Sequence, residues 1–344
     1  MLRLLINLMT GVKLTVRKRW FVMMFFLFAL FAYSTAGYMY FELPEKPNLT
    51  WLDSAWWSVV TMTTVGYGDY FPVTYYGRVL VGFPTMLLGV GVLGYLLSSV
   101  ASAIVESKIR ELKGLKQMHY SDHIIITRYN SLGSTLKLIN ELKKDKLTKN
   151  SVIVVVDDDL DELPDELVSI GIKFVKGDAS RETALQKANY ESAKWMIIPA
   201  IENDTENSDH RNLATALTIE RLKPEIYTVV QVVNPENEIF FKRAGVDSIV
   251  NLSSLSSQMI VQELQDPGVN SVIFELTSNS FGKQFYIVDI KGEYKTYEDL
   301  KKYYNQKGVA VGIRRDTQNI MLPSPDTEIK TGDKVIMIAE NRPD

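Results

Sequence analysis

Two uncharged stretches constrain this chain more than any other feature. Residues 20–41, Trp20 through Phe41, hold no charged side chain and only Ser34 and Thr35 as aliphatic hydroxyls. At about 1.5 Å per helical residue they reach about 33 Å, enough to cross a bilayer core. Residues 79–105, Val79 to Val105, are also uncharged and rich in Leu, Val and Gly, long enough to span with tilt or to protrude. The first run is too long for a secretory signal, and no small-residue cleavage site follows it. Two spans, at 20–41 and 79–105, are therefore expected.

Composition matters only once it is divided. The whole chain of 344 residues is 46% hydrophobic and 23% charged with a net charge of −3, the profile of an ordinary soluble protein. Yet only 7 of its 38 Lys and Arg and 4 of its 41 Asp and Glu fall within 1–105, so the remainder carries a net −6. Zero Cys excludes disulfides, thiolate metal sites and a thiol nucleophile. With only His119, His123 and His210, a His-based metal or acid–base site is not expected, and these three read as structural or solvent-facing. No basic domain is present to neutralise phosphates, so nucleic acid is not an expected partner.

Basic residues set the expected orientation. Arg3, Lys13, Arg17, Lys18 and Arg19 precede the first span; Lys108, Arg110, Lys113 and Lys116 follow the second; the connection carries only Lys46 and Arg78. Both termini should then be cytoplasmic. Neither span has an Arg ladder and 19 residues precede the first, so no voltage-sensing module is expected.

Between the spans, Trp51, Leu52, Ala55, Trp56, Val59 and Val60 fall at helical spacing over 51–63, too short to span. This re-entrant helix runs into Thr64-Val65-Gly66-Tyr67-Gly68-Asp69. Successive carbonyls that point one way can replace the hydration shell of K⁺, and that needs residues of alternating handedness, which Gly66 and Gly68 supply. Non-helical backbone at membrane depth is tolerated only where it lines a water path.

This segment, between an outer helix and a longer inner one, resembles the signature of two-span potassium channels over residues 20–105. The resemblance implies a K⁺ filter at 64–69, one per chain against four per pore, hence a homotetramer in a lipid bilayer. It also implies that Trp56 and Trp57 form an aromatic cuff around the filter; interface-belt aromatics are the other reading. Gly89, Gly91 and Gly94 with Pro84 admit either close helix packing or bending. The resemblance favours a gating hinge at Gly89 or Gly91, with Leu93, Leu97 and Val100 as the constriction.

Beyond a charged linker at 106–120, strands and helices alternate over about 130 residues, which argues a doubly wound parallel sheet in 121–265, followed by a small α+β unit in 266–344. The fold class is thus a two-span helical pore joined to a Rossmann-like domain with a C-terminal subdomain. This part is similar to the RCK domains of prokaryotic ligand-gated potassium channels. The dinucleotide fingerprint would place Gly at 128, 130 and 133, but the chain has Arg128, Asn130 and Gly133, with Ser131 between. Asp157 stands where an acid takes ribose hydroxyls, and Asp178-Ala179-Ser180 is similar to a family motif. The resemblance implies NAD or an adenine nucleotide in this crevice; loss of two glycines narrows the approach of a pyrophosphate, and Arg128 offers instead a charged hydrogen-bond donor to a phosphate, while a Rossmann unit kept only for dimerisation is the alternative.

Ca²⁺ is the family's other ligand, but the acids of its best-known site are replaced by Pro199, Gln231 and Val233, so any Ca²⁺ site is unidentified. The clusters Asp157, Asp158, Asp159, Asp161, Glu162 and Glu202, Glu206, Asp204, Asp209 read as solvated loops without EF-hand spacing. Eight RCK domains under four pore domains would form a gating ring, with an internal start at Met118 as one source of the extra copies. The expected function is a ligand-gated K⁺ channel rather than an enzyme. The alternatives are a K⁺ channel with a constitutive scaffolding RCK domain, or a membrane-tethered nucleotide-dependent oxidoreductase, for which no proton donor or nucleophile stands out.

Overall fold

The computed structural model describes residues 16–201 and 205–343. Arg3, Lys13, Glu202 and Asp204 lie outside them. The described chain divides into two compact units at Lys108.

In the first unit, Phe21–Glu42 and Gly77–Leu112 are long and apolar enough to cross a membrane. The former is most of α1 (Val16–Glu42); between them lies the short α2 (Trp51–Met62). A capping box starts α2: Thr50 Oγ1 accepts the Asp53 N–H at 3.2 Å, and the Asp53 carboxylate accepts the Thr50 N–H at 3.0 Å. The second long helix opens with a π-helical turn, Gly77–Gly82, and continues as α3 (Phe83–Leu112). Pro84 accounts for the turn. It has no N–H and its ring crowds the carbonyl four residues back, so the helix widens and the Phe83 N–H donates to Arg78 O instead. The helix therefore begins at 77 rather than 79, and it runs unbroken through 106–112, where the sequence has a charged helix continuing out of the span.

Glu42, at the C-terminal end of α1, anchors this unit. Its fully buried carboxylate accepts the N–H groups of Val73 (2.7 Å) and Thr74 (3.2 Å) and the Thr74 hydroxyl (2.7 Å). Gly77 leaves room for it, since a Cβ there would collide with Glu42 Oε1.

The second unit holds a six-stranded parallel sheet of order β3-β2-β1-β4-β5-β6, formed by β1 (His123–Thr127), β2 (Ile153–Asp157), β3 (Lys173–Lys176), β4 (Ala193–Ile198), β5 (Tyr227–Val232) and β6 (Ser248–Asn251). The order reverses between β1 and β4, the doubly wound pattern, and places a crevice at the carboxyl ends of those strands. Alternate residues serve the two faces: Ile125, Val154 and Val230 pack into one apolar cluster, Ile124, Ile153 and Phe174 into the other. Helix α4 (Leu132–Lys144) follows β1, α5 (Asp165–Ser169) follows β2, α6 (Glu182–Lys187) follows β3, α7 (Thr205–Leu222) follows β4, and α8 (Glu238–Ala244) follows β5. Helices α9 (Leu252–Gln265) and α10 (Val269–Thr277) then lead to an antiparallel sheet of order β7-β10-β8-β9, from β7 (Gln284–Asp289), β8 (Val309–Arg315), β9 (Gln318–Met321) and β10 (Lys334–Ala339), with α11 (Tyr297–Tyr304) against it. The C-terminal sheet thus starts at 284, and the turn at 266–268 joins two helices rather than opening the subdomain directly.

Residues 112–118 are bonded into this second unit. Leu112 O accepts the Leu163 N–H at 3.1 Å, Gly114 O accepts the Lys176 N–H at 2.9 Å, and Met118 is buried in the core. His123 is buried with Nε2 2.9 Å from Ala188 O, while His119 and His210 are exposed.

Gly114 turns the chain at φ +64°, and a Cβ there would meet the Lys176 amide nitrogen and the Phe174 ring. Gly114→Ala should therefore cost about 1–3 kcal/mol and lower the Tm of the second unit, read by differential scanning fluorimetry of the full chain.

Candidate functional site

The segment after α2 has an unusual backbone. Thr64, Gly66 and Gly68 have φ of +63°, +60° and +78°, alternating with Val65 and Tyr67 outside that region. No atom lies within 4 Å of a Cβ built on Gly66 or Gly68, so glycine is required there by handedness and not by space. Thr64 is β-branched and left-handed, a strain of about 1–3 kcal/mol of the kind held at functional sites.

The amide groups of this segment turn back to α2. Thr64 N–H donates to Thr61 O (3.1 Å), while Val65 (3.0 Å) and Gly66 (3.3 Å) donate to Val60 O. Three of the segment's N–H groups are thus bonded at the C-terminal end of α2, the end at which the helix dipole favours a cation.

Trp56 holds the far end of the segment. Its ring stacks on Tyr67 with centroids 5.9 Å apart and 5° between planes, and its Nε1–H donates to Asp69 Oδ2 at 2.8 Å. Trp57 does something else: it is buried and stacks on Tyr38 of α1 at 4.2 Å, tying α2 to the first span. The paired cuff expected of Trp56 and Trp57 is therefore carried by Trp56 alone within one chain. Tyr70 donates its hydroxyl to Asp53 at 2.7 Å, and Lys46 Nζ donates to Phe71 O at 2.6 Å. Glu42 and Lys46 carry no local sequence signal for these roles, because their partners lie 25 to 32 residues away.

The glycines of α3 differ from one another. A Cβ on Gly89 would lie 3.0 Å from Met62 Cα, so Gly89 is a close-packing contact with the end of α2. Gly91 and Gly94 have nothing within 4 Å. Leu93, with Gly89, Met62 and Phe28, lines an apolar cavity of about 330 Å³. Leu97 and Val100 are exposed on the chain, and among the described residues the π-helical turn is the second span's departure from α geometry.

In the second unit, Arg128 takes the first glycine position at φ +70°, with its N–H on Val156 O at 2.7 Å. Its guanidinium is buried, lies 3.7 Å from Asp158, and leaves Nε without a hydrogen bond. Burial, then the neighbouring Arg211, lower its pKa. Arg211 makes two 3.1 Å bonds to Asp158 and a 3.6 Å pair with Asp159. Asn130 Nδ2 bonds to Ala200 O at 2.5 Å. Ser131 caps α4, accepting the Ser134 N–H at 3.3 Å, and open space surrounds Gly133.

Asp157 is not free for a ribose. Its buried carboxylate accepts the N–H groups of Tyr129 (2.9 Å), Asp159 (2.8 Å) and Leu160 (2.6 Å), so it shapes the crevice loops instead. Asp178 accepts the Ser180 N–H (2.9 Å) and hydroxyl (2.8 Å); burial alone would raise its pKa, but these bonds hold it below the usual range. Ala179 belongs to the core.

Several of the described acids of the two clusters are committed. Asp161 pairs with Lys176 at 2.7 Å, and buried Asp209 accepts from Val233 N (2.9 Å), Asn234 N (3.0 Å) and Asn237 Nδ2 (2.8 Å). Asp157 and Asp209 are thus buried anchors rather than parts of solvated loops. Gln231 Oε1 accepts the Ala200 N–H at 2.9 Å, and no group of three or more metal-ligating side chains is found among the described residues.

Against known proteins, residues 19–106 match a family model described as ion channel, and residues 124–252 match the TrkA-N domain. The chain is 28% identical over 306 residues to the probable potassium channel protein 2 of Methanocaldococcus jannaschii, covering 84% of this chain and 85% of that one. It is 25% identical over 293 residues to the calcium-gated potassium channel TvoK of Thermoplasma volcanium, covering 83% and 81%. The human SLO3 gating ring aligns with 64% of this chain and 44% of its own at a TM-score of 0.52 and 16% identity, a likeness of fold. A GsuK channel bound to NAD aligns with 92% and 56% at a TM-score of 0.48 and 18% identity. This chain spans about half the length of these two solved chains.

Trp56→Phe keeps a ring against Tyr67 and removes the bond to Asp69. Loss of a hydrogen bond to a carboxylate costs about 1.5–3 kcal/mol, so the purified protein should melt a few degrees lower, and Trp56→Ala lower still.

Proposed function

Since the chain belongs to the prokaryotic potassium channels that join an ion channel domain to a TrkA-N (RCK) domain, we propose that it is a K⁺-selective, ligand-gated channel in which 64–69 is the filter. The observation that carries this is the alternating left-handed backbone at 64, 66 and 68, with the amides of Thr64, Val65 and Gly66 on α2. Four copies complete the pore, each donating one filter strand, in an inner membrane with both termini cytoplasmic. Val65 and Tyr67, exposed on a single chain, would then pack at contacts between copies.

The second unit is the regulator. Exposed apolar residues on α9 and α10, among them Ile260, Leu264, Val272 and Phe274, suit assembly into a gating ring of RCK domains, eight if a product beginning at Met118 supplies the extra copies. NAD or an adenine nucleotide would enter at Arg128, Asn130, Ser131, Gly133 and the Asp178-Ala179-Ser180 turn, its phosphate meeting the under-bonded guanidinium. The calcium-gated relative supports Ca²⁺ as a second effector. Either ligand acts only through a difference in affinity for two ring shapes, passed through α3 to Gly91 and to the constriction at Leu93, Leu97 and Val100. A scaffolding role for the RCK unit is the second reading, favoured by the commitment of Asp157 to backbone amides.

Planar-bilayer recording decides among these. K⁺ should carry current and Na⁺ should not; nucleotide or Ca²⁺ should change open probability, and Arg128→Gln should remove the nucleotide response at least ten-fold. Equal permeability to both ions rejects the filter assignment, and currents indifferent to every ligand select the scaffold.

A further inference from the structure

The two lobes of the second unit share no apolar core. Two clusters lie on the faces of the six-stranded sheet and a third beneath the four-stranded sheet, with no residue in common. Helices α9 and α10, which join the lobes along the chain, contain no buried residue. The attitude of one lobe to the other therefore depends on polar contacts, and these gather on the last turns of α4.

Glu141 is their centre. Its carboxylate accepts the Ser280 hydroxyl (2.6 Å), the Ser278 hydroxyl (3.3 Å) and the Asn279 N–H, while its own carbonyl accepts Asn279 Nδ2 (3.1 Å). Burial would raise its pKa, but the Ser280, Asn279 and Ser278 donors hold it below the ordinary value. One turn on, Asp145 lies 3.6 Å from Arg342, whose guanidinium sits 5.1 Å above the Tyr286 ring of β7. The opposite end of α4 is capped by Ser131 in the crevice. At 13 residues, α4 is a rod of about 20 Å with the crevice at its first turn and the C-terminal lobe at its last.

We infer that Glu141 is a latch through which α4 fastens the C-terminal lobe to the crevice, Asp145 and Arg342 being a second, weaker fastening. Charge-assisted bonds to three successive residues fix both position and twist, which a single ion pair would not. A ligand that shifts the start of α4 then carries the C-terminal lobe with it; without the latch the ligand binds and the lobe does not follow. Glu141 is thus a positioning residue for gating, and this role rests on the proposal that the unit transmits ligand binding.

The absence of Cys permits a direct test on the full channel. Spin labels at Lys137→Cys and Lys301→Cys, both exposed positions, report the distance between α4 and α11 in nanodisc-embedded tetramers with one labelled subunit. The parent should give one narrow distribution, and Glu141→Ala one at least twice as wide. The double variant Ser278→Ala, Ser280→Ala removes the hydroxyls from the other side and should widen it as well, which guards against misfolding of the first. In bilayers Glu141→Ala should lose most of the ligand-induced change in open probability while keeping the nucleotide's thermal shift. Unchanged distance widths, or a full ligand response in Glu141→Ala, overturn the latch. If the parent channel answers neither nucleotide nor Ca²⁺, the gating proposal fails, and the distance widths alone decide whether the lobes are latched.

Discussion

The membrane unit depends on one requirement: a non-helical backbone at membrane depth must find partners for its amide groups within the protein. Here the end of α2 supplies them. Val60 O takes two N–H groups and Thr61 O a third, so Thr64, Val65 and Gly66 are held in place, Thr64 in a left-handed conformation that it would not choose alone. The remaining architecture serves to keep α2 in place. Asp53 and Thr50 cap its start, Trp57 stacks it on Tyr38, and Gly89 lets α3 approach Met62 closely. Trp56 and Glu42 secure the chain on its way out to the second span, the former at Asp69, the latter at Val73 and Thr74.

The second unit poses a different problem, since its crevice is lined by charge rather than by glycine. Arg128 stands in a left-handed position that glycine would take without strain, and its buried guanidinium is not fully bonded. A buried cation in that condition is costly. Asp158 offsets the cost in part, but it shares its carboxylate with Arg211. The Arg128 guanidinium is therefore left under-bonded in the crevice, whereas the Asp157 carboxylate is taken up by three amides.

Much of this is legible in the residues. The two spans, the short helix at 51–63 and the segment 64–69 follow from uncharged length, helical spacing and alternate glycines, all local properties. The alternation of strands and helices in the second unit is equally plain, because each strand is a short apolar run. What escapes is pairwise. Pro84 stands beside the glycines in sequence, but the π-helical turn it causes depends on which carbonyl its ring would meet. Glu42 looks like the polar end of a span, yet it is fully buried against a turn some thirty residues on. Trp56 and Trp57 are neighbours in sequence that point to opposite partners, since successive residues on a helix face about 100° apart.

By itself, then, the sequence determined two stretches long and apolar enough to cross a membrane, a short helix and alternate glycines between them, and a doubly wound sheet followed by a small α+β unit. Each of these is written in composition, period or spacing over a few adjacent residues. Only the tertiary structure decided which tryptophan holds Asp69, which glycine is packed, that Asp157 is spent on backbone, and that Glu141 joins two lobes. Those assignments depend on hydrogen bonds and contacts that include pairs 13, 28 and 138 positions apart, and no local pattern encodes which of several acids or aromatics will meet them.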